Sequence, residues 1–400
     1  MTDATLPSVT ASERSAITGL APMVAIIFFG FLSVAAPLPA LSLYVHDTLG
    51  FSGFIVGWVI GIQSFVTILS RHRAGTLADD RGPKTAVLIG LPLASLSGLF
   101  YLASTLTPGL PVSRLVILFA GRLLLGLAES LFVTGTMSWG IGRISPARTG
   151  KVMSWQGIAM YAALGAGGPL GLFIHYVFGF AGVAVLTIAA PLLALAVALS
   201  VPGVEALGGA RVPFHHVLRL IWRPGLVLML ATVPFAALAA FLPLDYAAKG
   251  WAGAGSAIAF FGAAYILVRL VGSHWTDRFG AARVVAISLA VEIAGQFLLW
   301  TAPGVAIANC GAALTGLGFS LIFPAMGVAA TKRVPAAQRG RAVGNFIAFF
   351  DVALGLTGPL VGLATGVFGY PAAFFIGCLA VIASLALLPS VGRTADTQSK

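Results

Sequence analysis

Gly75-Thr76-Leu77-Ala78-Asp79-Asp80-Arg81-Gly82-Pro83-Lys84 is a short polar island between two long apolar runs. Its residue order fits a tight reversal. Gly75 lets helices pack closely, Gly82 permits the backbone to turn back, and Pro83 suits the first turn of the helix that follows. Asp79 stands where it can face positive partners or a helix N-terminus. A reduced copy recurs as Gly272, then Asp277-Arg278-Phe279-Gly280 with Arg283. Two such turns between apolar runs predict a duplicated chain of membrane-crossing helices.

The composition of the 400 residues agrees. The chain is 58% hydrophobic and 9% charged, far below the roughly 25% charged residues of soluble domains. Only a bilayer accepts that much apolar surface. Cys310 and Cys378 both lie in apolar runs, so they predict helix packing and no disulfide framework or thiolate metal site. No His, Cys, Asp or Glu cluster has metal-ligand spacing, so no metal is expected.

Runs of about twenty apolar residues, the length that crosses a hydrocarbon core, recur along the chain. They fall at 17–45, 54–75, 84–105, 115–139, 152–176, 181–201, 225–247, 252–273, 283–302, 305–329, 342–366 and 371–390. The first is too long for a signal-peptide core and is expected to be retained. The expected organisation is a tail over 1–16, a six-helix bundle over 17–201, a linker over 202–224, a second bundle over 225–390 and a tail over 391–400. With twelve spans, 20 of the 23 basic residues fall on one side, Arg71 and Arg269 among them, while Arg114 and Lys249 fall on the other and Arg122 lies within a span. That asymmetry predicts that both termini are cytoplasmic. It also makes the net charge of +11 a topology signal rather than a nucleic-acid site.

The two halves repeat. At an offset of about 190 residues, Gly126 meets Gly316, Ser130 meets Ser320, and Gly168-Pro169-Leu170 meets Gly358-Pro359-Leu360; nearer 198, Arg71 meets Arg269, Asp79 meets Asp277 and Gly82 meets Gly280. Six spans repeated in one orientation predict an all-α membrane protein of two pseudo-symmetric six-helix bundles, with a substrate site between them near the midplane.

The doubled Gly, Asp, basic, Gly, basic loop across twelve spans resembles the signature of the major facilitator superfamily. The resemblance covers essentially the whole chain. It implies a conformational loop role for Gly75, Asp79, Arg81, Gly82, Lys84, Asp277, Arg278 and Gly280. Asp80 stands where the family usually has a basic residue, which implies charge pairing rewired through Arg81. Arg122 with Gly126 resembles the family's intramembrane Arg-x-x-x-Gly element. Gly165 through Gly168-Pro169-Leu170-Gly171 is similar to part of the Gly-Pro element of proton-coupled exporters, so Gly168 and Pro169, with Gly358 and Pro359, are expected at hinges or packing seams. Tyr44-Val45-His46-Asp47, Ser70-Arg71-His72-Arg73-Ala74-Gly75 and Asp245-Tyr246-Ala247-Ala248-Lys249-Gly250-Trp251 resemble a bacterial inner-membrane branch labelled "arabinose efflux permease-like". That label establishes no sugar substrate.

Ionisable groups at mid-depth are costly and are functional candidates. Glu129 lies fourteen residues from Arg143 and fifteen from Arg114, roughly 21–23 Å from either at the helical rise. Asp351 is ten residues from Arg341 and Glu292 nine from Arg283, about 14–15 Å in. Arg122 is two turns before Glu129 on the same face. A carboxyl withdrawn from water holds its proton more tightly, and an adjacent cation reverses that. A carboxyl that meets Arg in only one conformation therefore exchanges its proton as the bundles rock. Because the resemblance implies a cavity lined by the first and fourth helices of each half, Glu129 is expected to couple to protons. Arg122 is then its electrostatic partner or an anion anchor, and the plainer alternative is that Arg122 ties backbone carbonyls together. Asp351 is a further candidate. Glu292, on a helix usually peripheral in that family, has a structural pair with Asn309 or Asn345 as its alternative. His46 with Asp47, and Asp245 with Lys249, fall at span ends, as a gate or as solvated termini.

No Gly-x-x-x-x-Gly-Lys-Ser/Thr loop is present for ATP, nor any hydrolase motif. The expectation is a monomeric secondary active transporter, neither an enzyme nor cofactor-dependent, whose partners are a small-molecule substrate, protons and membrane lipid. A proton antiporter exporting a small organic solute is the leading reading. A proton symporter importing a nutrient is the alternative, and a sensor on a transporter fold is a more remote one.

Overall fold

Apolar runs of this length have one way to satisfy their backbone in lipid, which is to become helices. The computed structural model describes residues 11–144, 148–205, 214–272, 274–334 and 339–392, and among them no strand occurs. The spans are α1 (Gly19–Thr48), α2 (Gly53–Arg81), α3 (Pro83–Leu106) and α4 (Pro111–Ile144), followed by one apolar stretch over Lys151–Ser200. That stretch is broken at Gly179, whose positive φ of 67° ends a right-handed helix. It therefore supplies two spans, α5 (151–178) and α6 (180–200). The second half comprises α7 (Leu218–Ala248), α8 (Ala254–Val271), α9 (Ala281–Thr301), α10 (Val305–Thr331), α11 (Asn345–Phe368) and α12 (Pro371–Val391).

Twelve spans in two six-helix halves is the architecture the sequence predicts. The helices run past the expected limits of the apolar runs, α2 to Arg81 and α4 to Ile144, because a helix keeps its own hydrogen bonds on entering water. The helix that includes α7 begins at Phe214, inside the expected linker. Residues 206–213 of that linker, 1–10 and 393–400 of the tails, and with them Arg211, Arg393 and Lys400, lie outside the described residues. So do the side chains of Asp277, His215, His216, Arg339 and Arg341.

Both signature turns reverse at glycine. Gly82 and Gly280 adopt φ of 87° and 83°, just before the helices over Pro83–Leu106 and Ala281–Thr301. Lys84 then reaches across to the end of α6, donating to the carbonyls of Val201 at 2.7 Å and Leu199 at 3.5 Å, with its ammonium 5.6 Å from the Trp139 ring centre. A cation there complements the negative end of a helix. Asp79 and Arg81 are exposed, and no ion pair joins these two among the described residues.

The halves meet along two seams related by the repeat, α2 against α11 and α5 against α8. At the first, a Cβ on Gly57 would overlap the Gly358 carbonyl, and one on Gly61 would overlap that of Gly355. At the second, a Cβ on Gly262 would overlap the Gly165 carbonyl, and one on Gly168 would come within 2.8 Å of Ile258. The Gly-Pro positions of the two halves thus lie on opposite seams, each against the other bundle. With no hydrophobic force between helices in lipid, such backbone approach supplies the packing contact. Overpacking costs about 1–3 kcal/mol, so Gly358→Ala is expected to lower the melting temperature of the detergent-purified protein by several degrees. Gly366→Ala, at a position with nothing within 4 Å, should leave it unchanged.

Candidate functional site

Asp351, on α11 of the second half, is ion-paired with Arg71 on α2 of the first. Both are largely shielded, with 4% and 17% of their side chains exposed. This pair crosses the α2–α11 seam inside the membrane-spanning region. The sequence tally counts Arg71 only as a topology signal, among the basic residues of the cytoplasmic side. Arg71 lies ten residues before Arg81, as Asp351 lies ten after Arg341, so the depth arithmetic that singled out the acid places the base at the same level.

Glu129, on α4, lies within electrostatic reach of both members of the pair. Its Oε2 accepts hydrogen bonds from Gln63 Nε2 at 2.8 Å and Thr67 Oγ1 at 3.1 Å. Thr67 Oγ1 also stands 3.1 Å from the carbonyls of Gln63 and Gly126. One hydroxyl proton cannot serve three acceptors at once, so the bond to Glu129 is exchangeable. Gly126 allows this closeness, since a Cβ there would overlap the Gln63 carbonyl. Gln63 and Thr67 were invisible as candidates because uncharged polar residues in an apolar helix carry no signal without their partner.

Arg122 is almost wholly buried, but its partners lie elsewhere. Nε donates to Val59 O at 2.8 Å, Nη2 to Ile60 O at 2.7 Å and Nη1 to Tyr101 Oη at 3.3 Å. All lie within the first bundle. None joins Arg122 to Glu129, so the expected electrostatic partnership gives way to the alternative of tied carbonyls. The two-turn separation that puts both on one helix face also leaves about 10 Å between them along the axis.

Glu292 is buried where α9 meets α10; a Cβ on Gly318 would lie 2.7 Å from its own Cβ. Neither carboxylate oxygen has a hydrogen-bond partner among the described residues. The structural pair with Asn309 is not formed, because Asn309 Oδ1 accepts from Tyr246 Oη at 3.0 Å and Asn309 Nδ2 donates to Ser256 Oγ at 3.3 Å. No bond to Asn345 is present either.

The centre beside Asp351 is filled by rings. Phe235 stacks on Phe261, Phe319 and Phe350 at centroid distances of 5.6, 5.7 and 6.3 Å, and Tyr161 meets Phe350 at 6.0 Å. At the far end from the termini, His46 on α1 contacts the Tyr370 hydroxyl just before α12 and pairs with Asp47 at 3.2 Å. Burial, then the Asp47 carboxylate, pushes the Tyr370 phenol up. Asp245 and Lys249 pair at 2.9 Å. A cleft of about 200 Å³ opens there between α1, α5, α7 and α8, with Asp47, His175, Tyr246 and Trp251 on its wall.

A family model for the major facilitator superfamily matches residues 23–252 and 226–399. An uncharacterized MFS-type transporter of Pseudomonas aeruginosa (strain LESB58) is 40% identical over 393 residues, 97% of each chain. The uncharacterized MFS-type transporter YhhS of Escherichia coli (strain K12) is 40% identical over 369 residues, 92% of this chain and 91% of its own. Among solved structures, a D-xylose-proton symporter superposes with a TM-score of 0.73 at 17% identity over 94% of this chain and 97% of that one. A point mutant of the nucleoside transporter NupG gives 0.72 at 15% over 93% and 99%. At these identities the structures share the fold.

Removing one partner of a buried pair strands the other and costs about 3–5 kcal/mol. Asp351→Asn is therefore expected to lower the melting temperature markedly, and the double variant Arg71→Gln/Asp351→Asn to recover part of the loss. Additive losses in that thermal-melting cycle would show that the two side chains do not stabilise one another.

Proposed function

The chain belongs to the major facilitator superfamily, a family of multi-pass membrane transporters rather than enzymes, and from that premise we propose a proton-coupled transporter whose coupling centre is Asp351, Arg71 and Glu129. The observation that carries this is the cross-seam pair Arg71–Asp351 with Glu129 beside it. A bridge between the bundles holds the present conformation while Asp351 is ionised. Its protonation weakens the bridge and lets the bundles rock. Glu129, held by Gln63 and an exchangeable Thr67 hydroxyl, is the neighbouring acceptor for that proton. The site lies between bundles, as alternating access requires.

Antiport, with export of a small organic solute as protons enter, is the direction we favour, on the Gly-Pro element that meets the α5–α8 seam at Gly168. The basic-residue asymmetry supports cytoplasmic termini in a bacterial inner membrane. Lipid covers the exposed apolar side chains, such as Leu69, Phe173 and Phe368, and a monomer holds the complete site.

The test is reconstitution in liposomes loaded with a pH-sensitive dye, under an imposed proton gradient, with a panel of small organic solutes. At least one solute is expected to evoke proton movement that Glu129→Gln and Asp351→Asn reduce by about tenfold or more. Solute transport with no proton movement in wild type would make the protein a facilitator. Proton entry accompanied by solute entry would make it a symporter.

A further inference from the structure

The two seams share a glycine frame but differ in the groups that meet their arginines. Arg71 and Arg269 are repeat equivalents, and at the 190-residue offset the equivalent of Asp351 is Tyr161. On the α2–α11 seam the arginine therefore meets a carboxylate. On the α5–α8 seam it meets a ring, with the Arg269 guanidinium 5.2 Å from the Tyr161 ring centre and 5.7 Å from that of Tyr265. Arg269 Nη1 donates to Ser320 O at 3.1 Å, and Nη2 lies 3.4 Å from Tyr265 Oη. No carboxylate pairs with Arg269 among the described residues. Its Nε and the Tyr161 hydroxyl are both buried donors without an acceptor, and Tyr161 is 98% buried, at 2% exposure.

Two orphaned donors on one cation–ring contact leave unsatisfied hydrogen-bonding capacity in a low-dielectric place, a condition that polar groups rarely keep. Arg71 Nε is unpartnered as well, beside its carboxylate, so the sharper mark of a missing acceptor is the Tyr161 hydroxyl; a carboxylate there would pair with the guanidinium and accept from the phenol. The surroundings are aromatic: Tyr161 lies 5.3 Å from Tyr265, 6.3 Å from Phe319 and 5.1 Å from Phe323 by ring centroids.

We propose that Arg269 and Tyr161 form an anion subsite on the α5–α8 seam, reached when the bundles part, and that the substrate class is a small organic carboxylate with an aromatic body. The substrate's carboxylate takes the place on the α5–α8 seam that Asp351 fills on the other. Binding then completes the second bridge while protonation of Asp351 releases the first. The substrate assignment rests on the transporter reading above. The subsite itself rests on the missing carboxylate and the two orphaned donors.

The probe is benzoate, with neutral benzamide of the same shape, titrated calorimetrically into the purified full-length protein in detergent. Wild type is expected to bind benzoate at least about tenfold more tightly than benzamide, with Arg269→Gln losing that margin and Tyr161→Phe losing about threefold. Size-exclusion profile and melting temperature verify that each variant folds. Tyr161→Phe, which removes only a hydroxyl, carries the test if Arg269→Gln does not fold. Equal binding of benzoate and benzamide, unchanged benzoate binding in both variants, or no benzoate binding to wild type would overturn the subsite. If benzoate binds through Arg269 but moves no protons in liposomes, the subsite stands and the coupling reading falls. If a neutral or cationic solute drives proton flux that Asp351→Asn abolishes while benzoate does not bind, the coupling reading stands and the subsite falls.

Discussion

The ion pair between Arg71 and Asp351 sets the terms for the rest of the molecule. Opposite charges carried into the apolar interior of a membrane protein cost less when they meet, and here they meet across the boundary between the halves. The surrounding features serve that meeting. Glycine-on-glycine contact, as at Gly57 and Gly358, brings α2 and α11 close enough for a short side-chain bridge. Gln63 and Thr67 then hold Glu129 from the same helix face that carries Arg71. α2 is thereby tied to α11 and to α4 at one level in the membrane.

Duplication explains why there are two seams, and divergence within the duplicate explains why they differ. Gly165 approaches Gly262 as Gly57 approaches Gly358. Thr67 Oγ1 stands 3.1 Å from Gly126 O on one side, and on the other Ser320 Oγ donates to the carbonyl of Tyr265, the equivalent of Thr67, at 2.8 Å. Against that shared frame the acids are one-sided. Glu129 is matched by Phe319 and Asp351 by Tyr161, so one seam holds the ionisable chemistry and the other an aromatic surface with a lone guanidinium.

Much of the fold was legible because lipid leaves so few solutions. The apolar run lengths gave the spans, and Gly82 with its copy Gly280 gave the turns. Even Gly179, which breaks one long apolar stretch into two helices, matched the gap between runs. The candidate site was half legible. Buried acids stand out in an apolar sequence, so Glu129 and Asp351 were found. Their partners were not, because partnership is a property of how helices pack. Arg71 passed as one more cytoplasmic-side cation, since only its depth in a helix that continues to Arg81 distinguishes it. Arg122, two turns from Glu129, looked like a partner until its donors were seen to be taken by Val59, Ile60 and Tyr101. Tyr161 carried no signal at all except its equivalence to Asp351.

The central claim is that the Arg71–Asp351 bridge holds the two bundles in the present conformation, and the distance between the bundles tests it most directly. Spin labels at Leu69 on α2 and Leu356 on α11, both exposed, would be placed in a background with Cys310 and Cys378 replaced by Ala. Pulsed electron–electron resonance would then be recorded with and without Asp351→Asn. The account predicts one short-distance population in the parent protein and a second, longer one when the carboxylate is neutralised. Superimposable distributions would contradict it and leave the glycine seam, rather than the ion pair, as what holds the halves together.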